Sequence, residues 1–514
     1  MAALPHAQPA VRGDRSPFSM LPGPVGRALP SARLSPTLPS TPDALNSSGA
    51  QAMPHASDAI QKPMQFVQEA AERWRADLLD LLRIASISAQ PAHAADVRRA
   101  AEWVAECCRK IGLSAEIVDT AGHPAVLAEG PHRPGRPTVL FYGHHDVQPS
   151  GDLKLWHTGP FEPIERDGRV IARGAADDKG QMLCALAAAE AWIATCGDLP
   201  INLKLLIEGE EEIGSPNLAP LVERLADRLA CDHVLIHDTS QYGEGVPAIT
   251  TGTRGLVYIE VLLTGPSKDL HSGVYGGQIA NPINELAALI ATLHTADGRV
   301  NLPGFYDRVA PLSPDEARAL AALPWSRDAF LAETGSLAEA GEEGFSTLER
   351  QWARPTLDVN GIYGGYMGAG SSTIIASRAG AKISMRLVPQ QRAADIEHLA
   401  IETIRQRCPR TVRCEILTHA SCDPYVSDPT SPAILAAKKA VSAGFGREPV
   451  MIRSGGSLPI LPMFKRVLGA DSIMLGYCLP TCNAHSPNEF LHVRDFEAGM
   501  RTTTAYFGLL AGAA

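Results

Sequence analysis

Residues 138–149 read TVLFYGHHDVQP, an uncharged apolar run that ends abruptly in His144, His145 and Asp146. A run of this kind fits a strand covered on both faces, as strands of parallel sheets are. Three other runs are built alike. NLKLLI (202–207) leads into Glu208, Glu210, Glu211 and Glu212. HVLI (233–236) leads into His237 and Asp238, and SIMLGY (472–477) is followed after a short loop by His485. A fifth cluster, Asp177-Asp178-Lys179, opens a helical stretch near Gly180. Ligands of open α/β sheets bind outside the carboxyl ends of the strands. Five such clusters on one sheet therefore gather His and carboxylate side chains in one place.

Helical periodicity fills the gaps, at 65–81, 94–111 (stopped by Gly112), 181–195 and 218–229. Alternation of strand and helix predicts an α/β fold with a mostly parallel central sheet. From about Thr251 the pattern changes: LVYIEVLL (256–263) and AKISMRLV (381–388) read as strands and 281–294 as a helix, around a Pro- and Gly-broken region at 300–370. With a helix at 432–443 the alternation of strand and helix returns. The expected organisation is a catalytic domain in two parts, 61–250 and 421–514, interrupted by an inserted α/β domain at 251–420. Residues 1–60, rich in Pro, Ala and Ser, read as a disordered leader with little to bury.

The composition narrows the chemistry. A net charge of -10 over 514 residues, with Lys and Arg scattered, excludes a nucleic-acid partner. None of the 10 cysteines forms a CxxC pair, which reads as reduced thiols in a cytoplasm and leaves metal ligation to His and carboxylate. No stretch is long and apolar enough for a membrane span; 182–196 carries Glu190 and reads as a buried helix. Taken singly, each cluster has a plainer meaning: a core histidine, a solvated acidic turn, a helix cap. Together they supply two His and at least three carboxylates without Cys, a set suited to a pair of zinc, manganese or cobalt ions. Residues two apart in an extended strand point the same way, so Asp146 is positioned to orient His144. Neighbours diverge, so of Glu211 and Glu212 one binds metal and the other serves as general base.

YGHHDVQP (142–149), ARGAADDKG (172–180), EGEEEIGS (208–215), DLHSGVYGG (269–277), ISMRLVP (383–389), RSGGSLP (453–459) and AHSPNE (484–489) occur in this order. They resemble the motifs of the co-catalytic zinc aminoacylase and carboxypeptidase family, which includes cytosolic dipeptidases, carnosine dipeptidases and desuccinylases. The resemblance spans roughly residues 65 to 514. It implies a zinc-peptidase catalytic domain with an inserted lid that dimerises. It further implies two divalent ions per subunit, zinc first among the three. One ion falls to His144 and Asp238, the other to Glu212 and His485, with Asp177 bridging. Glu211 becomes the base, and Asp146 the support of His144. His271 reaches the active site of the opposite subunit to steady the oxyanion. Arg386 pairs with the carboxylate of a small peptide substrate, with Thr373 and Gly455, Gly456 and Ser457 lining the pocket.

Two departures stand out. His145 occupies a position where many dipeptidases carry Tyr, and Ala376 one where relatives often have Pro. The wording of the motifs and the long insert favour a dipeptidase over an N-acyl amino acid deacylase or desuccinylase. A binding protein that merely kept the fold would have lost ligands, and every metal-site position is filled.

Overall fold

The computed structural model describes residues 59–512; the expected leader therefore lies outside the described residues except for its last two positions. The four apolar runs form the centre of a nine-stranded sheet. Asn202–Glu208, Thr138–His144, His233–Ile236 and Asp471–Met474 lie side by side in that order, all parallel. Ala125–Glu129 and Ser114–Val118 extend one edge in antiparallel fashion. Ala248–Thr253, joined by Tyr425–Val426 and Val450–Ser454, extends the other.

The strands read as unbroken apolar runs because each face meets helices. Val139, Phe141, Leu203, Leu205, Ile207 and Leu235 pack on one side with residues of Gln61–Glu69, Ala71–Leu82, Ala94–Lys110, Lys179–Cys196, Pro432–Phe445 and Val493–Ala511. Leu140, Tyr142, Leu206, Val234 and Ile236 point the other way, to Leu218–Arg224 and Ile460–Leu468. Lys179–Cys196 is apolar around its whole circumference and buried along most of its length, which accounts for its membrane-like composition. Among the described residues, no helix is long and apolar enough to cross a membrane. The helical pattern expected over 65–81 resolves into two helices that meet at Ala70.

Thr356–Gly364, Arg378–Leu387, Gly255–Thr264 and Arg413–Cys422 form a separate four-stranded antiparallel sheet. Gly255–Thr264 alternates buried and half-buried along its length, the mark of one covered face. Pro282–Ala291 and Ala393–Arg407 cover that face, and the buried members of this core all lie between Val257 and Ile404. The stretch expected to be broken holds three short helices, Pro314–Ala321, Arg327–Thr334 and Thr347–Trp352. The first and third open with reciprocal capping boxes, Ser313 with Glu316 and Ser346 with Glu349.

Helices Pro432–Phe445 and Val493–Ala511 touch backbone to backbone at Gly444. A Cβ there would stand 2.0 Å from Thr502 Oγ1 and 2.7 Å from the Thr502 backbone nitrogen. Gly444→Ala should overpack this contact at a cost of about 1–3 kcal/mol. A thermal melt should show a lower midpoint, with the metal content of the folded protein unchanged; a wild-type midpoint contradicts the packing described.

Candidate metal centre

His144 is the last residue of its strand and is fully buried. The chain leaves the sheet at His145, whose ring turns away: its Nε2 meets the Pro124 carbonyl at 3.1 Å, and burial lowers its pKa to about 4. His237 also turns away, with Nδ1 on the Gln181 carbonyl at 3.0 Å and its ring against Phe141 and Tyr477. The acidic run divides in the same manner. Glu208 accepts from Tyr142 and Ser215, and Glu210 from Asn217 and the His123 backbone. Only Glu211 and Glu212 of that run remain to face the His144 side.

Two donor groups result. His144, Asp177 and Asp238 form one; Asp177, Glu212 and His485 form the other. Asp177 belongs to both through different oxygens: Oδ1 lies 3.1 Å from His144 Nε2, and Oδ2 lies 3.0 Å from His485 Nε2. Asp238 Oδ2 is 3.8 Å from His144 Nε2, and Glu212 Oε2 is 3.2 Å from His485 Nε2. His144 Nε2 is buried and neither accepts nor donates a hydrogen bond, although carboxylate oxygens surround it. On the His144 side, donor atoms that converge without bonding to one another suit a shared cation; on the other side His485 Nε2 is hydrogen-bonded to Asp177 Oδ2 at 3.0 Å. The charges agree. Burial and the neighbouring Asp177 push the Asp238 carboxyl up to about 7, and burial pushes Glu211 up to about 8, with Asp238, Asp177 and Glu212 adding to it. Crowded carboxylates with imidazole partners and no thiolate fit divalent zinc, manganese or cobalt.

The supports of these donors differ in part from expectation. The strand ends at His144, so alternation does not set the direction of Asp146. The Asp146 carbonyl stands 3.2 Å from His144 Nδ1, and its carboxylate Oδ1 3.4 Å away. The carboxylate also accepts the Glu211 backbone N–H at 3.2 Å and the Glu212 N–H at 3.1 Å. Asp146 thus ties the histidine to the acidic turn. Gln148, overlooked in the sequence, holds Glu212: its backbone N–H reaches Oε1 at 3.1 Å and its Nε2 reaches Oε2 at 2.8 Å. Its place in the HHDVQP motif, four residues after His144, was the available signal.

A cleft of about 720 Å³ opens beside Asp177 and Asp238, within the usual size of small-molecule sites. Gly455, Gly456 and Ser457 line it, together with Phe330 and Glu333 of Arg327–Thr334. Arg386 Nη1 donates to Ser457 Oγ at 2.8 Å, which joins two of the expected substrate contacts. Arg254, another residue the sequence did not single out, fixes the loop by donating to the Gly455 carbonyl at 2.9 Å and the Gly456 carbonyl at 3.0 Å. His271 and Thr373 lie elsewhere. Both are exposed: His271 pairs with Ile374 in a short two-stranded pairing, and the carbonyl of Thr373, just before that strand, accepts the Ser272 N–H at 2.9 Å. No hydrogen bond links either to the donor groups.

Known proteins share this architecture. The chain is 30% identical over 469 residues to the Cys-Gly metallodipeptidase dug1 of Schizosaccharomyces pombe, a match covering 88% of this chain and 98% of that protein. It is 30% identical over 466 residues to the Beta-Ala-His dipeptidase of Homo sapiens, covering 87% and 92%. The crystal structure of human carnosine dipeptidase 1 superposes with a TM-score of 0.74 at 30% identity, over 88% of this chain and 99% of that one. The M20 family metallo-carboxypeptidase Sso-CP2 of Sulfolobus solfataricus gives 0.76 at 32%, over 85% and 99%. Residues 140–507, which include every donor described above, match the peptidase family M20/M25/M40, and the chain belongs to that family.

Proposed function

We propose that this chain is a dipeptidase that hydrolyses the amide bond of dipeptides with two divalent metal ions, zinc first among them. The reading rests on the Asp177 carboxylate, whose two oxygens serve separate donor groups with Glu211 close by. Dipeptidases among the relatives that match nearly the whole chain support the substrate class. His144, Asp177 and Asp238 would hold one ion, and Asp177, Glu212 and His485 the other. Such a pair, when bound, polarises the scissile carbonyl and lowers the pKa of water from ~15.7 to about 7.

Glu211 supplies the proton transfers. Its carboxylate takes a proton from the attacking water and hands it to the departing amine nitrogen as the C–N bond breaks. Asp146 holds the Glu211 backbone in place for this, and Gln148 keeps Glu212 turned to its ligand position. Arg386, braced by Ser457, takes the substrate carboxylate, with Gly455 and Gly456 forming the pocket wall. His271 of a partner subunit donates to the carbonyl oxygen as negative charge develops there, with Thr373 beside it. A homodimer through the 251–420 insert is favoured by exposed apolar side chains near His271 in the sequence, Val274, Tyr275 and Ile279, and by Tyr366 and Met367 near Thr373. Ten unpaired cysteines favour a cytoplasmic enzyme.

Metal-stripped protein should be inactive. Restored with zinc, manganese or cobalt to two ions per subunit, it should cleave dipeptides and spare N-acyl amino acids. Full activity without metal would sink the reading, and a preference for N-acyl amino acids would move it to deacylation.

Glu211→Gln should keep both ions and lose at least ~10²-fold in turnover. Glu212→Gln should lose metal from one site. Metal analysis of the two variants separates base from ligand, and interchanged results would reverse the assignment.

For His271, inactive Glu211→Gln subunits should be mixed and exchanged with poorly active His271→Ala subunits. Each heterodimer then contains one site with an intact Glu211 and an intact His271 from its partner, so each heterodimer should reach up to about half the activity of a wild-type dimer. Heterodimers verified by mass that show no gain place His271 outside the partner's site. The single His271→Ala change should cost roughly 10²–10³-fold in turnover with metal retained.

A further inference from the structure

Glu489 ends the AHSPNE motif and is completely buried. Its Oε2 accepts from Arg173 Nη1 at 2.7 Å and the Gly174 N–H at 3.0 Å. Its Oε1 accepts from the N–H groups of Ala176 at 2.9 Å and Asp177 at 3.0 Å. The Glu489 carbonyl accepts the Ala172 N–H at 3.0 Å as well. The segment from Ala172 to Asp178 contains no helix or strand, so its shape depends on these bonds. Arg173, equally buried, continues the chain of contacts by donating to the Pro149 carbonyl at 3.2 Å, just beyond Gln148.

The other end of the motif is constrained too. Asn483, His485 and Asn488 all sit at left-handed backbone angles, with φ of 59°, 60° and 61°. Side-chain residues hold such angles only where surrounding contacts over-determine them. Asn488 is fixed by the His157 N–H and the Leu155 carbonyl, both at 2.8 Å. Phe490–His492 pairs with Arg169–Ile171, which brings Glu489 alongside Ala172. Glu489 therefore joins the loop that presents His485 to the loop that presents Asp177.

We infer that Glu489, through its bonds to Arg173 and the Ala172–Asp177 backbone, is the positioning residue of the whole metal centre. Asp177 serves both donor groups, so a shift of its loop disturbs both sites at once. This sets Glu489 apart from Glu212 or Asp238, each of which belongs to a single group. The inference rests on the two-metal reading proposed above.

Zinc affinities of both sites should be measured by equilibrium dialysis and calorimetry on full-length wild type, Glu489→Gln, Arg173→Lys and, as the one-site control, Glu212→Gln. Glu489→Gln should weaken both sites together by roughly 10–100-fold. Arg173→Lys, which keeps the cation but loses the fork, should shift both in the same direction by less, and it decides the matter if the Glu489 variant does not fold. A role confined to general stability would lower the melting midpoint and leave the zinc affinities of the folded protein alone. Folded variants within twofold of wild type at both sites, or weakened at one only, overturn the inference while the two-metal reading stands. Wild type that binds fewer than two zinc ions removes both.

Discussion

Asp177, Glu211, Glu212 and Asp238 are four carboxylates packed beside two imidazoles, and their mutual repulsion is the constraint that the surrounding structure answers. At a separation of about 4 Å, two like charges in a partly buried site repel by roughly 4 kcal/mol. No flexible segment would keep them together. The sheet contributes by ending three central parallel strands side by side: one carries His144 itself, and the turns beyond the other two carry Glu211, Glu212 and Asp238. Polar side chains hold those turns in place: Asp146 on the Glu211–Glu212 backbone, Gln148 on Glu212, Glu489 on the Asp177 loop. The apolar helices on both faces of the sheet provide the rigidity against which that repulsion is borne.

Much of this was legible because parallel strands covered on both sides leave uninterrupted apolar runs. TVLFYG, NLKLLI and HVLI became strands almost residue for residue, and adjacent ones. The turns beyond the strands were less legible. Periodicity stops where the strand stops, so nothing in HH, in EGEEE or in HD states which side chain turns inward. His145, His237, Glu208 and Glu210 each found a partner elsewhere, with the Pro124 carbonyl, the Gln181 carbonyl, Tyr142 and Asn217 respectively. The direction of Asp146 came from its bonds to the acidic turn rather than from strand alternation. Gln148, Arg254 and Glu489 escaped notice because their partners lie far off in sequence, over 300 residues away for Glu489. The short helices near 314 and 347 were a different case. Their Ser-x-x-Glu capping boxes are local and could have been read.

The four-stranded sheet between Gly255 and Cys422 has a core of its own. Its apolar side chains face the helices Pro282–Ala291 and Ala393–Arg407, and the central sheet keeps a separate set. Chemistry is divided along the same line. Arg386 stands on the second sheet but reaches Ser457, a residue beyond its end, so the proposed substrate pocket draws on both. On that proposal, a change in the second sheet alters how substrate is held without touching a donor atom.

The donors are spread along nearly the whole length of the chain, from His144 to His485. During synthesis at ~5–20 residues per second, roughly 20–70 seconds separate the emergence of the first donor from that of the last. In that interval Asp177 has His144 and Asp238 but no His485, and its loop lacks the Glu489 anchor. Until His485 emerges, the chain has at most half a centre. Dipeptide hydrolysis therefore begins only once His485 and Glu489 have joined the fold.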